Sequence, residues 1–154
     1  MRRTTVDSHA VLEATPEQVF EFVTTAGNWP RWHPSSIAVR GQSTRPGEVG
    51  DVIEEDFRVA GRTGTVVWTV TERTPPRSWT IDGVIVGRTM GGRVSYALTP
   101  ADGATSFERR FSYPVPLRYL PLDILIVARR VRKESDRAVR NLAKEISAQF
   151  QPRT

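Results

Sequence analysis

At 154 residues, with 38% hydrophobic and 25% charged side chains, the chain suits one globular domain, residues 1–154, and is far from a disordered composition. The absence of cysteine excludes disulfides, thiolate metal sites and a cysteine nucleophile and fits a reducing, cytoplasmic setting. No apolar leader follows Met1, and the longest apolar-rich run, residues 120–128, is too short to cross a bilayer. The net charge of +5 is unevenly placed: residues 1–116 hold 13 Arg against 13 Asp and Glu, whereas residues 117–154 hold 9 basic against 4 acidic residues, densest at Arg129-Arg130-Val131-Arg132-Lys133.

In chain order, residues 4–14 read as a strand, with Val6, Ser8, Ala10 and Leu12 on one face and His9 on the other, toward solvent. Thr15-Pro16-Glu17-Gln18 is a helix start, with Thr as N-cap, Pro at the first helical position and Gln three residues on to close a capping box. Val19, Phe20, Phe22 and Val23 supply its buried side, and Ala26-Gly27-Asn28 ends it. A second short helical turn is read through Trp29–His33. Then come strands at residues 36–44, 51–60, 62–73, 78–86, 92–99 and 104–113, separated by Gly, Pro and Asp turns, the pattern of an antiparallel meander. After Pro114 and Pro116 one long helix is predicted, residues 121–150, with Asp123 in its first turn, where a negative charge suits the helix dipole.

The fold class is therefore α+β: a curved antiparallel sheet of about seven strands around a long C-terminal helix, with two short helices after the first strand. The helix stripe Leu125, Ala128, Arg132, Ser135, Val139, Leu142, Ile146 is apolar at its ends and small or polar in its middle, which leaves room between helix and sheet. The opposite wall alternates inward as Ile53, Glu55, Phe57 and Val59; Val66, Trp68 and Val70; Trp79, Ile81, Gly83 and Ile85; Val94, Tyr96 and Leu98; and Phe107, Arg109, Phe111 and Tyr113. Glu55 and Arg109, with Arg132 on the helix, are ionised intruders on an apolar face and need partners; Glu55 with one of the arginines is the expected pair. Such a wall has the make-up of a small-molecule site. Trp32, Phe57, Trp68, Ile81, Tyr96, Phe111, Leu125 and Val139 are its candidate ligand contacts. Glu55, Tyr96, Arg109, Arg132 and His33 are the candidate catalytic groups. Trp32 and His33 are expected at the mouth as a gate or ligand contact, His33 as a general base, and Trp29 against the first helix.

Ala14-Thr15-Pro16-Glu17-Gln18-Val19-Phe20-Glu21-Phe22-Val23 resembles the opening of the START-like, birch-pollen-allergen-like helix-grip superfamily (SRPBCC), in its polyketide cyclase/dehydrase and lipid-transport group. Trp29-Pro30-Arg31-Trp32-His33-Pro34 resembles the segment that follows. Val49-Gly50-Asp51, Val70–Arg77 and Tyr96–Pro100 with Gly103-Ala104-Thr105 continue the likeness in order. The resemblance implies a central cavity for a hydrophobic or aromatic molecule, in a protein that binds or carries it or acts as a polyketide cyclase/dehydrase. No nucleotide-binding glycine pattern, nucleophile elbow or metal-ligand spacing is present, so no cofactor and no metal are expected, and an enzyme here works without either. The alternative is a membrane-associated lipid-transfer or partner-binding protein, using the apolar loop 116–122 beside the basic cluster 129–133. Nucleic acid is not expected as a partner, because no basic sheet surface is interleaved with aromatics. Monomer and homodimer are both left open.

Overall fold

Alternating side chains set the architecture. In the computed structural model, which describes residues 2–59, 61–88, 91–115, 117–122 and 126–150, strand β1 (Arg2–Leu12) buries Val6, Ser8 and Leu12 and exposes Asp7, His9 and Val11. Helix α1 (Pro16–Thr24) starts at the Thr15 cap: Thr15 Oγ1 accepts from the Gln18 amide at 3.2 Å, and Gln18 Oε1 accepts from the Thr15 amide at 3.0 Å. A single 3₁₀ turn at Ala26–Asn28 leads into α2 (Trp29–Trp32), with Pro30 in its first turn, where the missing N–H costs nothing.

The meander follows as β2 (Ser36–Gly41), β3 (Val52–Val59), β4 (Arg62–Thr74), β5 (Ser78–Ile85), β6 (Arg93–Ala101) and β7 (Ala104–Val115). β1 closes the other side of β7, so the seven-stranded antiparallel sheet runs β1-β7-β6-β5-β4-β3-β2. The β6–β7 hairpin turns on Asp102 and Gly103, both at positive φ (48° and 82°), the conformation that makes Asp-Gly the favoured two-residue hairpin loop. β1 stops at Leu12 and β2 at Gly41, short of the predicted residues 14 and 44.

After a 3₁₀ turn at Leu117–Tyr119 and the short helix α3 (Leu120–Leu122), α4 runs Ala128–Phe150, 23 residues or about 35 Å. The predicted helix began at residue 121; its first-turn Asp123 and the candidate contact Leu125 lie outside the described residues. The sheet curls so that α4 packs along β1 and still reaches β3. The buried stripe of α4 is Val131, Ser135, Ala138, Val139, Leu142 and Ile146, and Arg132 is exposed, which corrects its inward assignment. Counting back from Ser135, positions three and four residues away both lie near the inner face, and the apolar Val131 takes the buried one.

Candidate functional site

Toward the C-terminal half of α4, Val139, Leu142 and Ile146 fill the grip together with Leu12, Val19 and Phe107. Near residues 127–131 the filling stops, and a cavity of about 230 Å³ remains between α4 and the inner faces of β3–β7. Trp32, Trp68, Ile81, Val94, Tyr96 and Arg109 form its buried walls. Phe57, Val59, Ile85, Phe111, Tyr113 and Val127 form the more accessible side.

Strand register delivers these groups. Glu55 pairs across with Val66, Ile81 with Val94, and Tyr96 with Arg109, so all of them point to one face. Gly83 lies opposite Trp68, and a Cβ there would stand 2.5 Å from indole Cε3; the glycine is what lets the ring lie flat on β5. Trp32 and His33 enter from α2, and α4 holds that segment in place. Asn141 Nδ2 donates to the Trp32 carbonyl at 3.2 Å, Ser35 Oγ donates to Glu134 Oε2 at 2.9 Å, and Arg31 pairs with Glu145 at 2.9 Å.

The polar groups are few and strongly perturbed. Glu55 Oε1 accepts from Trp68 Nε1 at 3.1 Å; burial pushes its carboxyl above the usual range, against the opposing pull of that hydrogen bond. Burial, helped by the charge on Arg109, holds His33 well below the ordinary imidazole value, so the ring is neutral near pH 7. Burial likewise raises the Tyr96 phenol, which stays protonated. Arg109 is pulled down by burial yet remains a cation, as guanidinium does in proteins. Its Nη1 donates to Ser135 Oγ at 3.4 Å, and its Cζ lies 5.7 Å from the Phe111 ring centre.

Of the candidate catalytic groups, the structure brings Glu55, Tyr96, Arg109 and His33 to one cavity and leaves Arg132 in solvent. The expected Glu55–arginine ion pair is not formed. Glu55 bonds the indole of the adjoining strand, while Arg109 sits on β7, and the two attract only at longer range across the cavity. Of the candidate ligand contacts, Trp32, Phe57, Trp68, Ile81, Tyr96 and Phe111 line the space. Val139 does not: it packs in the filled half of the core. Trp32 is 1% exposed, so it belongs to the buried wall and not to a gate at the mouth. Trp29 does pack on α1, its Nε1 donating to the Val23 carbonyl at 3.0 Å, and also reaches the cavity. Ser35, Val127 and Val131 line it without having been singled out; Val131 was hidden inside the basic cluster, where charge outweighed its apolar signal. Among the described residues no group of three or more His, Asp or Glu is placed to hold a metal ion.

By sequence profile, residues 3–147 match the family described as polyketide cyclase / dehydrase and lipid transport. No curated protein matches the chain. Among solved structures, the Zhui aromatase/cyclase from Streptomyces sp. R1128 superposes with a TM-score of 0.78 at 12% identity, covering 97% of each chain. A Rhodobacter sphaeroides protein gives 0.69 at 20% identity over 94% of this chain and 93% of that one. Ara h 8.0201 gives 0.65 at 14% identity over 96% of this chain and all of the other, 100%. At such identities these likenesses show a shared helix-grip fold.

Proposed function

Because the chain belongs to the polyketide cyclase / dehydrase and lipid transport family, we propose that it binds a hydrophobic or aromatic small molecule between the sheet and α4. The observation that carries this reading is the cavity itself: aromatic and branched apolar walls with a few buried polar groups, the usual composition of a small-molecule site. Its size narrows the ligand. An apolar cavity of about 150 Å³ accommodates benzene, so 230 Å³ suits one ring or two fused rings and is too small for a two-chain lipid.

The same groups support cyclase/dehydrase-type chemistry as the finer reading. The neutral His33 imidazole, whose Nδ1 accepts from the Ser35 N–H, offers an Nε2–H donor able to polarise a ligand carbonyl. A protonated Glu55 is an acid able to give a proton to a departing hydroxyl, which then leaves as water, and its carboxylate can then take the proton from the neighbouring carbon. Native mass spectrometry of freshly purified protein, followed by titration with naphthalene and monitoring of tryptophan fluorescence, tests the binding. Val131→Phe, which grows a ring into the space from α4, should weaken naphthalene binding about tenfold or more while the protein still folds. Binding unaffected by this variant would place the ligand elsewhere.

The membrane reading draws on Leu117, Leu122 and Ile126, each more than half exposed (64%, 52% and 52%), beside the exposed Arg129, Arg130, Arg132 and Lys133. Among the described residues no helix is long and apolar enough to cross a membrane. Salt-sensitive sedimentation with anionic liposomes would support surface docking, and its absence would remove it.

A further inference from the structure

Three outer-face arginines of the sheet have carboxylate partners: Arg40 with Asp56 at 2.7 Å, Arg93 with Asp82 at 2.7 Å, and Arg110 with Asp7 at 2.8 Å. The buried Arg109, on the inner face, has none. Arg109 is 6% exposed, and among the described residues no carboxylate lies within ion-pair distance of it; it bonds the neutral hydroxyls of Ser135, at 3.4 Å, and Tyr96, feels Glu55 only at longer range, and its Nε–H meets no acceptor. A desolvated cation without a counter-ion is costly, and a fold keeps one only where something else compensates it.

Two further donors at the same cavity are also unmet. Ser35 N–H donates to His33 Nδ1 at 3.1 Å, and a neutral imidazole accepting there carries its proton on Nε2. That Nε2 is buried and finds no acceptor, and neither does Trp32 Nε1. The groups are close together: the Trp32 ring centre lies 5.8 Å from that of His33 and 6.4 Å from that of Tyr96, whose cross-strand partner is Arg109. Glu55 takes the Trp68 indole N–H. The cavity thus presents a positive charge and a surplus of N–H donors to whatever fills it.

We propose that the ligand is an anion, a small aromatic or hydrophobic carboxylic acid, whose carboxylate is received by Arg109 with the N–H groups of Trp32 and His33. The proposal rests on the cavity being the ligand site, and it adds the ligand's charge. A carboxylate matches the planar guanidinium and offers several lone pairs to separate donors, whereas a neutral carbonyl leaves the charge on Arg109 unbalanced.

Three probes of one shape separate the possibilities: 2-naphthoate, 2-naphthamide and naphthalene, titrated into the full chain at pH 7.5 and followed by calorimetry. The acid should bind about tenfold or more tightly than the amide, the scale of a hydrogen bond to a charged group. Arg109→Gln should collapse that acid-to-amide ratio toward one, and Trp32→Phe should lower it severalfold, with circular dichroism confirming the fold. Equal binding of acid and amide, or a preference that survives Arg109→Gln, overturns the proposal. Should Arg109→Gln fail to fold, an undiminished preference in Trp32→Phe overturns it instead. Naphthalene binding without binding of the acid overturns the anion and leaves the cavity reading standing; no binding of any probe overturns both.

Discussion

His33 and Glu55 share one cavity and are shifted by the same cause, burial, in opposite directions. The folded imidazole lies below its ordinary value of 6.5, so its contribution to stability is present above that pH and is lost as pH falls through the folded value. The folded Glu55 carboxyl lies above 4.5, so its contribution is full below that pH and is lost as pH rises through the folded value. Urea unfolding across pH 4.5–8 should therefore show wild type losing stability on acidification below 6.5 faster than His33→Gln. It should also show Glu55→Gln gaining on wild type as pH rises. A stability difference between Glu55→Gln and wild type that does not change with pH would mean the carboxyl is not desolvated as its burial implies. Alternation along β3 and β7 was enough to mark Glu55 and Arg109 as inward-facing charges. Their partners were not readable from it, because an indole N–H on the neighbouring strand competes with any guanidinium for the carboxyl.

Elements here are set by short-range chemistry and positioned by contacts across the sheet. The α1 cap is local: Thr15→Ala should cost about 1 kcal/mol in denaturant unfolding, since it removes the Thr15 Oγ1 that accepts from the Gln18 amide. Gly83 acts at longer range. Gly83→Ala places a methyl group against the Trp68 ring, and should destabilise by about 1–3 kcal/mol while disturbing the indole that holds Glu55. A near-neutral effect in thermal unfolding would show that the ring has room to move. The inner stripe of α4 was legible at Ser135, Val139, Leu142 and Ile146, where large or small side chains repeat at helical spacing. It slipped at Arg132 because residues 131 and 132 are nearly equivalent by spacing, and only contact with the sheet selects the valine.

At the level of the whole molecule, one end of the grip is packed and the other is hollow. Leu142 is 0% exposed in the packed half, and Leu142→Ala should cost about 2–5 kcal/mol, with aromatic-probe affinity changed far less than stability. Val131→Phe at the hollow end should do the reverse. A saturating ligand should raise the melting temperature in step with its affinity, because only the folded chain offers the cavity. The order of strands and helices, the inward face of five strands, the α1 cap and the helix-grip resemblance are all legible in the amino-acid order, since period-two alternation, capping and turn chemistry act within a few residues. Tertiary contacts set the rest: Trp32 stands in the buried wall with the half-buried His33 beside it, Glu55 and Arg109 form no ion pair, and Arg109 has no carboxylate beside it among the described residues. Those facts depend on the curl of seven strands and on how α4 pins the α2 segment, and no local pattern encodes distances across that span.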